Sequence, residues 1–139
     1  MRIQPILARA RKLQRGFTLI ELIIVLAIMS ILLALAVPRY NAYLQHSREA
    51  ALRDDLFQLR SLIDQYTLDK QQAPQSLQDL VTAGYLRQLP VDPMTGKNTT
   101  WQAVTSDDYT NPDEEEPGII DVHSGSDGVG SDGTAYNTW

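Results

Sequence analysis

From Phe17 to Val37 the chain runs through 21 consecutive positions that carry one charge, Glu21. At about 1.5 Å of rise per helical residue, such a stretch spans the roughly 30 Å hydrocarbon core of a bilayer. A cleaved secretory signal has a shorter apolar stretch, of roughly 7 to 15 residues, followed by a small-residue cleavage site. Neither feature is present, so a membrane-spanning helix is the first reading. Of the 139 residues, those after this segment leave room for one modest globular domain.

Charge is distributed unevenly about that segment. Arg2, Arg9, Arg11, Lys12 and Arg15 place five positive charges and no negative ones ahead of it. By the positive-inside rule this end stays cytoplasmic, and the rest of the chain emerges on the other side of the membrane. The remainder holds seven basic residues against all 17 acidic ones, which argues against binding nucleic acid through its phosphates. Tyr40, Tyr43 and Trp101 do not restore that reading, because no basic residue follows Lys97 while nine acidic ones do. The two tyrosines suit the interfacial belt where a helix leaves a bilayer, and Trp101 suits a small core. Without cysteine, a domain in an oxidising compartment is held by packing, assembly or a metal rather than by disulfides.

Beyond Arg39, Leu52, Leu56, Leu59, Ile63 and Tyr66 recur at steps of four, three, four and three, one face of a helix. No loop signal separates this region from the membrane segment. The two together are expected to form one rod of about 80 Å, from roughly 54 residues, bent at Pro38 and ending before Pro74. A short second helix is expected after Ser76, with Asp79 in a capping-box position, Leu77, Leu80 and Val81 on its apolar face, and Gly84 as terminator. Two strands are expected near Thr99 to Val104 and Gly118 to His123, separated by the acidic loop Asp107 to Pro117. The fold class is therefore α+β: a long N-terminal helix, membrane-spanning and then amphipathic, packed on a small C-terminal antiparallel sheet.

Little here points to catalysis. His46 and Glu49 stand three apart and read as a solvated helix face rather than a metal pair. His123 has no Ser or Cys nucleophile motif around it, and no Gly-rich phosphate loop occurs. The chain is not expected to be an enzyme.

The junction Arg15-Gly16-Phe17-Thr18-Leu19-Ile20-Glu21-Leu22 resembles, very closely, the type IV pilin and type II secretion pseudopilin superfamily. That resemblance implies a leader over 1–16 that a prepilin peptidase removes by cutting after Gly16, with methylation of the new N-terminal Phe17. It implies a membrane helix over 17–37 and a periplasmic domain over 38–139. A carboxylate in a membrane helix costs about 2.5 to 3.5 kcal/mol on insertion scales, so such a group is usually paired or functional, the alternative being that Glu21 snorkels to the nearby cytoplasmic interface. The family implies pairing with the Phe17 amine of a neighbouring subunit, within a homopolymeric filament. Minor pseudopilins and an inner-membrane assembly platform are the further partners it implies. A monomeric anchored binding protein is the rival class, and it needs neither the Gly16 junction nor Glu21.

Within the superfamily, Leu89-Pro90-Val91-Asp92-Pro93 is similar to an element of major pseudopilins of type II secretion. The run from Ile120 through Gly128 is similar to their final strand and metal loop. A type IV pilus subunit serving motility, adhesion or DNA uptake is the alternative. The resemblance implies a Ca²⁺ ion in the terminal loop, with Asp127 as first ligand, Asp132 as second and Asp121 more distant. Calcium takes six to eight oxygens at flexible geometry, which a loop of Gly, Ser and Asp can offer. Two departures stand out: Met94-Thr95-Gly96-Lys97 replaces the family's Trp-Gly-Asn-Pro, and the Tyr136-Asn137 region stands where an acid is expected, so that a metal-free turn cluster is the alternative reading of this loop.

Overall fold

The computed structural model describes residues 16–106 and 117–139; the basic leader up to Arg15 and all of the acidic loop but Pro117 lie outside them. The chain divides into two compact units, Met1–Arg39 and Tyr40–Trp139. One helix, α1, runs Leu19–Lys70 over 52 residues and continues through Pro38.

In the first unit the large apolar side chains from Leu19 to Val37 are all at least half exposed. A helix that is apolar on every side belongs in lipid or inside an assembly, and this segment is long and apolar enough to cross a membrane.

The second unit has its own core, built on the face of α1 that the spacing predicts. Leu52, Leu56, Leu59 and Ile63 are buried, with Tyr66 partly so against them. The helix closes at Lys70, followed by Gln71 in the left-handed region (φ 57°), ahead of Pro74 as expected. Next comes α2, Leu77–Thr82, which starts where Ser76 and Asp79 say it should. The Asp79 carboxylate accepts from the Ser76 amide (2.9 Å) and hydroxyl (2.9 Å), holding the first turn. At the other end Gly84 takes φ 84°, the Tyr85 amide donates to the Leu80 carbonyl and the Gly84 amide to that of Val81. This is the paired closure that a left-handed glycine permits. Leu77 and Leu80 are buried against the core, and Val81 is half-buried.

The sheet consists of β1, Gln102–Thr105, and β2, Ile119–His123, antiparallel with Ala103 opposite Val122. β1 starts later than the sequence suggests. The Thr100 hydroxyl is paired with that of Thr95 and donates to the Lys97 carbonyl, which commits the preceding residues to a turn. Ile119 and Val122 turn inward and join Trp101, whose indole N–H donates to the Pro90 carbonyl at 2.8 Å. After β2 the chain folds back through a bridge between Val129 and Ala135 into a 3₁₀ turn, Tyr136–Thr138, which buries Tyr136 in the same core. The architecture is the α+β arrangement read from the sequence.

Candidate functional site

Two places carry the residues singled out above, one in each unit. At the first, Gly16, Phe17 and Thr18 precede α1 without regular structure, and Phe17 is 90% exposed. Glu21 folds back on the helix start. Its Oε2 accepts from the Thr18 amide (2.9 Å) and from the Thr18 hydroxyl (3.2 Å), while the Glu21 amide donates to Thr18 Oγ1 (3.2 Å). This is a reciprocal capping box, and it places a carboxylate at the positive end of the helix dipole. The signal was present as Thr18-x-x-Glu21 but was not read from the sequence. In the single chain, then, Glu21 is satisfied by its own helix.

At the second place, the terminal loop is tied to α1 and to the Leu89–Pro93 turn by two buried carboxylates. Glu49, expected on a solvated face, is fully buried instead. Its Oε1 accepts from the Ser131 amide (2.8 Å), the Tyr136 hydroxyl (2.9 Å) and the Gln45 side-chain amide (3.0 Å), and its Oε2 from the Ser131 hydroxyl (2.5 Å). His46 stays exposed, 3.8 Å from Glu49 Oε2. The second carboxylate, Asp92, is also fully buried. It accepts from the Met94 amide (2.8 Å), the Ser124 hydroxyl (2.6 Å) and the Gly125 amide (3.1 Å). A β-carbon at Gly125 would collide with the Thr100 carbonyl, so the loop can pass there only as glycine.

Two arginines of α1 complete the attachment. Arg60 donates to Asp121 Oδ1 (2.5 Å), the Val122 carbonyl (3.0 Å) and the Trp139 main-chain oxygen (2.7 Å), which His123 Nδ1 also meets. Arg53 lies over the Trp139 ring, 4.2 Å from its centroid. Among the described residues, no buried side-chain N or O lacks a hydrogen-bond partner.

The residues named for calcium are arranged differently from a shared cation site. Asp127 is exposed and accepts from the Asn137 side-chain amide at 3.2 Å. Asp132, also exposed, gives Oδ1 to the amide (2.9 Å) and hydroxyl (2.7 Å) of Thr134, while its Oδ2 faces the Arg53 guanidinium at 3.8 Å. Asp121 is held by Arg60. Among the described residues no three His, Cys, Asp or Glu side chains gather around a common point. As placed, this donor set does not fit a divalent cation, because a guanidinium and an amide already fill the roles a cation would take.

Residues 11–37 match the family model of the prokaryotic N-terminal methylation motif. Over most of its length the chain is similar to type II secretion system core protein G of Klebsiella michiganensis, 33% identical and covering 93% of this chain and 95% of the relative. The corresponding protein of Klebsiella pneumoniae is 32% identical over 91% of this chain and 94% of its own. A type IV major fimbrial protein FimA of Dichelobacter nodosus is 38% identical over 78% of this chain but 62% of its own length. No solved structure matches the chain significantly.

Proposed function

The chain belongs to the type II secretion system core protein G family, and from that membership we propose that it is the structural subunit of a periplasmic pseudopilus that drives protein export. In this reading prepilin peptidase removes the leader after Gly16 and Phe17 becomes a methylated N-terminus. The mature chain waits in the inner membrane with its N-terminus cytoplasmic and its folded domain periplasmic. Subunits then leave the membrane through an assembly platform and pack their helices into a homopolymer that also takes up minor pseudopilins. The function is mechanical, and the energy comes from a separate cytoplasmic ATPase.

The observation that carries this reading is Glu21 at the mouth of an apolar helix, within the first turn and beside an exposed Phe17. Among the described residues the carboxylate's hydrogen-bond partner is Thr18. A neighbour's cleaved Phe17 amine supplies the opposite charge that Thr18 cannot, which rewards association in a medium where unpaired charge is costly. Glu21→Ala is therefore expected to insert into the membrane normally while the ladder of cross-linked subunits in cells collapses to monomer. Unchanged ladders would overturn the reading, as would an intact mass from native membranes that still includes Met1 to Gly16 while the peptidase is active. Deleting the gene and comparing secreted proteins with surface pili separates this role from that of a type IV pilus subunit, since loss of pili with normal secretion would assign the chain to the pilus.

A further inference from the structure

We propose that the loop 124–139 is fastened to α1 without a divalent cation, by an anion that the helix supplies and the loop's hydrogen-bond donors surround. The polarity is the reverse of a calcium loop. Calcium is held by a chain that turns oxygen acceptors inward, typically six to eight of them. Here the chain turns donors inward: the Ser131 amide, the Ser131 hydroxyl and the Tyr136 hydroxyl all point at the buried Glu49 carboxylate, with Gln45 adding a fourth from the helix itself.

Each substitution at the loop's end serves that reversal. Tyr136, standing where an acid is expected, brings a hydroxyl proton to Glu49 and a ring to the core, where it packs edge-on against Trp139 with centroids 5.0 Å apart. Asn137 brings amide hydrogens, and one of them meets Asp127 directly, doing the bridging that a cation would otherwise do. Arg53 brings a positive charge to Asp132. Hydrogen bonds to an ionised group are stronger than neutral ones, and a buried carboxylate stripped of its donors is costly, so each donor lost weakens the hold on the loop. The proposal rests on contacts within one chain and stands or falls separately from polymerisation.

The test is thermal unfolding of the full-length chain in detergent micelles, followed by the fluorescence of Trp101 and Trp139, in millimolar calcium and in chelator. Amide hydrogen exchange over 126–138 is measured alongside. The wild-type midpoint is expected to be the same in both solutions. Tyr136→Phe, which removes one hydroxyl and keeps the ring, should lower the midpoint by about 5 °C, the shift expected of one lost hydrogen bond in a domain this size, and speed exchange in the loop, equally with and without calcium. Glu49→Gln should act in the same direction and more strongly. A midpoint that climbs with calcium as mass action requires, and stops climbing in Asp127→Ala, would overturn the proposal. So would a Tyr136→Phe chain with unchanged midpoint and exchange.

Discussion

Burial of Glu49 places its carboxyl under two opposing influences. Desolvation raises its pKa, but the Ser131 hydroxyl and amide, the Tyr136 hydroxyl and the Gln45 amide outweigh it and hold the group at about 2, below the ordinary 4.5. A folded-state pKa below the unfolded one gives stability that is fully present above pH 4.5 and is lost as pH falls through about 2. Asp121, where the Val122 amide and Arg60 overcome burial, and Asp132, held down by Thr134, act in the same direction. Asp55, raised by burial and by its neighbours Asp54 and Asp92, acts against them. The unfolding midpoint is thus expected to drop in acid, and Glu49→Gln to flatten the part of that drop between pH 4.5 and about 2; identical acid profiles for the two chains would assign the drop elsewhere. Glu49 was legible in principle. It extends the rhythm of Leu52, Leu56, Leu59 and Ile63 by one further step of three, so a charge stood at a core position. Its partners, 82 and 87 residues away, were not legible, because no local pattern couples a helix carboxylate to a distant loop.

Among the elements, α1 states most clearly how burial follows spacing. Leu59→Ala removes a fully buried side chain and should cost about 2 to 5 kcal/mol by denaturant unfolding. Phe57→Ala removes a larger side chain that is 74% exposed and should cost under about 0.5 kcal/mol. Comparable losses at both positions would mean that the described face is not the core. In α2, Asp79→Ala deletes the acceptor for the Ser76 amide and hydroxyl and should cost about 1 kcal/mol. Both helices were readable from apolar period, cap and terminator, all of which act within a few residues. The strands were readable to within three residues, and the error lay at Thr99 to Trp101, where the turn around Lys97 competes with strand pairing.

For the whole molecule, every residue of the buried cluster lies at Leu52 or later, within the unit Tyr40–Trp139. A chain begun at Tyr40 is therefore expected to keep a cooperative unfolding transition and the tertiary signal of its two tryptophans in water. A non-cooperative melt would show that the membrane segment takes part in folding the domain. What the sequence conveyed at this scale was the order of parts: apolar span, amphipathic helix, small sheet and tail. How the tail is fixed could not be read, since the outcome depends on which side chains meet across the fold rather than on any run of residues.

The same tail governs when the domain can come into being. Glu49 sits in the first third of the domain and three of its four donated hydrogen bonds come from near the end, so the carboxylate cannot be fully covered until Ser131 and Tyr136 are in place. Contacts so distant in sequence form late, after the entropy of closing a long loop has been met. A chain shortened before 131 keeps only the Gln45 amide for Glu49 and leaves that ionised group short of donors at a buried position. Such a chain is expected to be cut faster by an added protease than one that carries the loop, so closure of the loop reports that the domain is complete.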